Sequence, residues 1–255
     1  MTDGQTGHPV VAASVVTPVA LPRVIVVTGT DTVVGKTVVT AAVCATLRAA
    51  GLRVTAYKPT QTGVGPHAAG DMAEVARLTG VPTHEGVRLL APMAPRPAAL
   101  LEDSSLPTLD DHRATITTLA RDHDHVVVEG AGGVLVELTG TGATLADLAL
   151  LTDDCGVAVV ARSGLGTLNH TMLTREALWR RGIRLLGIVL GSWPSDPTVI
   201  ETTNRAHLAG LSEGLLGAIP AAAPRLGPAA FCAASPGWLP GLDRAAPLAQ
   251  RRDTP

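Results

Sequence analysis

The residues best suited to chemistry begin at Gly29-Thr30-Asp31-Thr32-Val33-Val34-Gly35-Lys36-Thr37, between an apolar run and a segment of helical period. A phosphate group needs several backbone N–H donors converging on it. A tight loop running into a helix N-terminus supplies them. Gly35 lets the main chain approach closely, Lys36 puts a positive charge on the β- and γ-oxygens, and the Thr37 hydroxyl can ligate Mg²⁺. Five residues separate Gly29 from Gly35, one more than the strict phosphate-loop pattern, and Thr30 stands where that pattern has its first glycine. If the backbone at Val33 needs positive φ, its β-branched side chain is strained there.

A second cation follows in Lys58-Pro59-Thr60-Gln61-Thr62-Gly63. A strand-end lysine can neutralise charge spreading over a transferred phosphoryl group. Pro59 is expected to stop the strand and Gly63 to let the loop turn. Glu129 follows Val126-Val127-Val128, and a carboxylate ending a buried strand is costly unless a cation pairs with it. Mg²⁺ beside a triphosphate is such a partner. Gly130 to Gly133 then leave room for substrate against bare backbone. Asp71 opens a helical segment, where it can serve as N-cap. Gly164 to His170 expose backbone N–H groups at another helix start, suited to a carboxylate, with His170 a packed or capping residue.

These residues need a frame that brings them together. Apolar runs at Val24–Thr28, Val54–Lys58, Val126–Glu129, Val157–Ala161, Leu186–Leu190 and Leu215–Ile219, with a weaker one at Val87–Leu90, read as strands. Runs without polar alternation fit strands buried on both faces. Helical segments at Lys36–Ala50, Asp71–Leu78, Asp111–Arg121, Leu145–Leu151, Leu168–Arg181 and Thr198–Ala209 lie between them. Strand-then-helix alternation predicts an α/β fold, a mostly parallel sheet flanked by helices, as one domain over residues 23–243. Ligands of such sheets sit beyond the carboxyl ends of the strands, where the polar clusters fall.

The 255 residues carry a net charge of −2 and 2% aromatic residues, which offers neither long-range attraction for nucleic acid nor stacking platforms for bases. Cys44, Cys155 and Cys232 are widely spaced and form no C-x-x-C pair, so neither zinc nor a disulfide framework is indicated. No apolar run approaches the roughly 20 residues needed to span a bilayer. Pro9 to Pro22 is apolar but lacks the basic leader of a signal peptide, the first basic residue being Arg23. Residues 1–22 and 244–255 are expected to be disordered tails of a cytoplasmic protein.

The phosphate loop resembles that of the dethiobiotin synthetases, G-T-D-T-x-V-G-K-T, with every fixed position filled and Val33 at the variable place, where other members carry glutamate or glycine. Lys58 to Gly63 is similar to the family's K-P-x-x-[ST]-G, Thr144 to Asp147 to its T-x-x-D, which reads as structural, and Gly166 to His170 to its G-x-x-N-H. The resemblance runs from Val24 to about Leu242. It implies a P-loop enzyme that joins CO₂ to 7,8-diaminopelargonate with ATP and Mg²⁺ and closes a cyclic urea. It implies nucleotide contacts from Asp31, Thr32, Val33, Val34, Gly35, Lys36, Thr37 and Glu129, and catalysis by Lys36, Lys58 and Thr32. Thr37, Asp71 and Glu129 would hold Mg²⁺. Thr62, Gly132, Gly133 and Asn169 would meet the substrate, in a homodimer whose neighbouring subunit supplies Asn169. Two other readings share the fold: a partitioning-type regulatory ATPase, whose additional lysine would fall at Asp31, and a different P-loop ligase.

Many members of the family place an asparagine after the penultimate strand to read adenine, and here Gly191 to Pro197 contains none. Without a side chain that hydrogen-bonds the base, selectivity rests on shape and backbone contacts. ATP is therefore expected to suffice while CTP and GTP compete. Turnover measured with each triphosphate checks this, and a large preference for ATP defeats it.

Overall fold

The computed structural model describes residues 21–242. Its strands are β1 (Val24–Gly29), β2 (Val54–Gln61), β3 (Thr83–Arg88), β4 (His125–Gly133), β5 (Cys155–Ala161), β6 (Leu185–Trp193) and β7 (Leu215–Pro220). They form one sheet in the order β3-β2-β4-β1-β5-β6-β7, with every pairing parallel. The helices are α1 (Lys36–Ala49), α2 (Asp71–Thr79), α3 (Pro95–Leu101), α4 (Leu109–Asp122), α5 (Leu145–Leu151), α6 (Thr167–Arg180), α7 (Val199–Ala209) and α8 (Pro228–Trp238).

Strand β1 shows why its sequence is apolar throughout. Ile25 and Val27 pack into the cluster under α1, α2 and α8, while Val24 and Val26 pack into the cluster under α4, α5 and α6. Alternate side chains leave opposite faces, and both faces are covered. Thr144 and Asp147 form a capping box at the start of α5, so the T-x-x-D segment is structural here. Among the described residues no helix is long and apolar enough to cross a membrane.

Several expectations are corrected. Pro59 does not stop β2, which continues to Gln61. The β2–β3 pairing skips Pro59, whose carbonyl lies against Gly86 of β3, and resumes at Thr60. Pairing with β4 has already ended at Tyr57, so Pro59 lies outside that ladder. Glu129 likewise lies inside β4, opposite Val27 of β1, rather than at its end. The strand expected at Val87–Leu90 runs from Thr83 to Arg88; it is a half-exposed edge strand, and its polar residues hide it from hydropathy. Helices α3 and α8 were not among the expected segments, and proline stands at the start of both. Pro95 and Pro228 occupy the first helical turn, where no intrahelical bond needs their N–H. The expected tails lie outside the described residues, save Leu21, which packs against the core, and Pro22, whose carbonyl accepts from His125 Nδ1 at 2.9 Å.

Helix α8 is anchored by Phe231, fully buried and edge-on to Trp238 at 5.2 Å between ring centroids. Phe231→Ala should lower the unfolding free energy by about 3–5 kcal/mol in a denaturant titration. Burial also holds His112 and His125 below the ordinary imidazole range. The unfolded chain therefore binds protons first as pH falls. The stability these two residues contribute is complete above about pH 6.5 and is lost as the pH drops through their folded values. Melting temperatures measured from neutral to mildly acid pH should fall on that limb, and His112→Asn should make the fall shallower.

Candidate active site

The carboxyl ends of β1, β2, β4 and β6 open into a cavity of about 740 Å³. The phosphate loop forms its floor. Gly35 is the N-cap of α1 with φ of 95°, and a Cβ there would lie 2.6 Å from the carbonyl of Gly191. Only glycine permits that contact between the loop and β6. Val33 has φ of 56° and a fully exposed side chain at the mouth of the cavity. The backbone does need positive φ there, and a β-branched residue holds it at a cost of order 1–3 kcal/mol. Lys36 folds back so that Nζ donates to the Asp31 carbonyl at 3.0 Å, closing the loop on itself. Burial first, and the charge of Lys58 second, hold the Lys36 amine below the ordinary lysine range. The Asp31 carboxylate accepts from the Thr32 N–H at 2.7 Å and pairs with Arg162.

The second half of the site is an ionic cluster. Lys58 Nζ donates to Asp71 Oδ2 at 2.5 Å and to Glu129 Oε1 at 2.7 Å, and Thr37 Oγ1 donates to the same Glu129 oxygen at 3.1 Å. Burial alone would lower the Lys58 pKa, but the Glu129 and Asp71 carboxylates outweigh it and raise the amine above its ordinary range. Burial likewise opposes ionisation of Asp71, and Lys58 overrides it, holding the carboxyl below the ordinary range. Lys36 and Lys58 are the chain's two lysines, and both are in this cavity.

Asp71 is not the N-cap of α2. That position is Gly70, and Asp71 is the first helical residue. Gln61 positions it by accepting from the Asp71 N–H at 2.8 Å. Arg88 braces the preceding loop through the carbonyls of Gly65 and Ala68 at 2.9 and 2.7 Å. Sequence reasoning missed both residues. A glutamine and an arginine on strands carry no local signal for a partner 10 or 20 residues distant.

Thr32, Thr62 and Gly132 also line the cavity, whereas Val34 is buried beneath the loop and Gly133 lies beside Gly29 of β1. Asn169 does not reach the cavity of its own chain; it sits exposed in the first turn of α6. At the far end, Gly191, Ser192 and Ala221 supply backbone and one hydroxyl but no amide side chain.

Among the described residues there is no cluster of three His, Cys, Asp or Glu that could hold a metal unaided. The donors present are nonetheless those a Mg²⁺ ion takes: hard oxygens from two carboxylates and a hydroxyl, with Glu129 Oε2 buried and lacking a hydrogen-bond partner. A cation with several waters and phosphate oxygens in its shell needs no more from the protein. The set fits.

Comparison with known proteins agrees with this geometry. Residues 23–227 match the family described as AAA domain. ATP-dependent dethiobiotin synthetase BioD of Streptomyces coelicolor is 50% identical over 223 residues, covering 86% of this chain and 93% of that protein. Its counterpart in Mycobacterium avium is 46% identical over 225 residues, covering 86% and 98%. Among solved structures, the septum site-determining protein MinD with Mg-ADP from Pyrococcus horikoshii superposes with a TM-score of 0.54 at 17% identity, over 88% of this chain and 94% of that one. That likeness is one of fold alone. With relatives of such identity spanning nearly their whole length, the chain belongs to the ATP-dependent dethiobiotin synthetase family.

Proposed function

We propose that this protein is a cytoplasmic dethiobiotin synthetase that uses ATP, Mg²⁺ and CO₂ to close the ureido ring on 7,8-diaminopelargonate. The observation that carries the reading is the gathering of both lysines, Thr37, Asp71 and Glu129 at one rim of the sheet, beside a loop built to cradle phosphate. Asp31, paired with Arg162, stands where a partitioning ATPase would carry its extra lysine, which speaks against that alternative.

In this reading CO₂ adds to one substrate amine to give a carbamate. A carbamate oxygen attacks the γ-phosphorus of ATP, the bond to the β-bridging oxygen breaks, and ADP leaves. The second amine attacks the carbonyl of the carbamic–phosphoric anhydride and expels phosphate as the ring closes. The protein supplies no nucleophile; it orients and stabilises charge. Lys36 and the loop N–H groups from Asp31 to Thr37 hold the phosphates, with Thr32 at the reacting end. Lys58 faces the phosphoryl group in flight. Thr62 and the bare backbone at Gly132 and Gly133 flank the diamine. Thr37, Asp71 and Glu129 hold Mg²⁺, which when bound neutralises charge on the β- and γ-oxygens. Asn169, exposed on α6, serves the substrate carboxylate of a second subunit in a homodimer.

Phosphate release should require both the diamine and bicarbonate. Release that ignores the diamine supports the regulatory ATPase instead, and release stimulated only by another acid supports a different ligase. Lys36→Ala should reduce turnover by at least about 100-fold, the usual loss when one preorganised charge-stabilising donor is removed. Near-normal turnover in that variant refutes the role given to Lys36.

A further inference from the structure

Lys58 binds the same carboxylates that the proposed reading assigns to the divalent cation. Its ammonium takes Asp71 Oδ2 at 2.5 Å and Glu129 Oε1 at 2.7 Å, and the latter oxygen also accepts from Thr37. The Lys58 and Glu129 side chains are 4% and 0% exposed, so this bridge lies out of water, where like charges repel strongly. Glu129 Oε1 already accepts from both Lys58 and Thr37, so a divalent ion that ligates this oxygen must displace one of the two donors. Asp71 is the open end, with a third of its side chain exposed toward the cavity.

The geometry points to Lys58 as a resident competitor of the cation. Without a cation, its ammonium neutralises Asp71 and Glu129. A cation that takes those carboxylates displaces the ammonium into the cavity, toward the phosphoryl end. Lysine suits the exchange because it carries a compact charge on a flexible stem and makes no fixed fork with either carboxylate. The coupling is reciprocal: whatever anion draws Lys58 away also tightens the cation, and the cation tightens the anion. Lys58 would thereby reach the phosphoryl group only once the cation is in place. This inference rests on the reading of Asp71 and Glu129 as cation ligands. The structure also offers a contrary arrangement, in which the cation takes the unpartnered Glu129 Oε2 with Thr37 and leaves Lys58 where it is.

The test is a titration of the full chain with Mn²⁺ alone, followed by the electron paramagnetic resonance of free Mn²⁺, in the unsubstituted protein and in Lys58→Gln. The variant should bind Mn²⁺ about tenfold or more tightly, within the usual range of coupled sites. Equal or weaker binding in the variant overturns the competition while leaving the ligand reading intact. No binding by either protein, with or without ADP, overturns both. Because Lys58→Gln strips a buried carboxylate of its counter-ion and can unfold the chain, a second measurement uses the unsubstituted protein. Lysine labelled with ¹³C at the ε-carbon gives two signals, from Lys36 and Lys58. Lys36→Arg assigns them. Mg²⁺ alone should move the Lys58 signal, and a Lys58 signal unmoved at saturating Mg²⁺ overturns the proposal.

Discussion

A carboxylate in the middle of a parallel sheet is the constraint around which this site is organised. Glu129 is fully buried on β4, next to the central strand. Removing the partner of such a charge costs roughly 3–5 kcal/mol, so something cationic must always stand beside it. Lys58, from the neighbouring strand β2, meets that requirement, and its ammonium reaches on to Asp71 at the start of α2. One buried charge thus fixes the relative positions of two strands and a helix. The exposed ion pairs elsewhere, such as Arg113 with Asp110, do nothing comparable, since solvent screens them.

The phosphate loop meets a different requirement, that of close backbone approach. Gly35 and Gly191 touch so nearly that a Cβ on Gly191 would overlap the Val34 carbonyl at 2.0 Å. The end of β6 therefore supports the loop from below, and Lys36 braces it from within through the Asp31 carbonyl. This double support explains how Val33 can hold φ of 56° with nothing packed against its side chain. The loop around it is over-determined, so the strain persists.

The parts of this arrangement that were legible in the sequence are those encoded locally. The span Gly29 to Thr37 carries its chemistry in consecutive residues, and six of the seven strands show as apolar runs because both faces of the sheet are covered. Edge strand β3 was displaced because it has only one neighbour and half its residues meet water. Pro59 misled because proline forbids a structure only where its N–H is needed, and that depends on partners in space. Gln61 and Arg88 were invisible as positioning residues because their contacts become apparent only after β2 and β3 are side by side. Asn169 is the reverse case, named through a resemblance yet outside the cavity of its own chain.

The two lysines finally show how one fold gives identical side chains different work. Among the described residues no carboxylate lies within hydrogen-bond reach of Lys36; its Nζ contacts a neutral carbonyl, and burial makes its charge costly. That cost is relieved when an anion enters the loop, so the site's electrostatics favour phosphate before any is bound. Lys58 is the opposite, compensated by two carboxylates and stable as it stands. An anion gains less from approaching a compensated ammonium than an uncompensated one. In the proposed reading, binding of the triphosphate tail therefore falls mainly to Lys36. Under the proposed exchange, Lys58 contributes fully to a developing phosphoryl charge only as its carboxylates are drawn to another cation, which separates holding the nucleotide from stabilising the reaction.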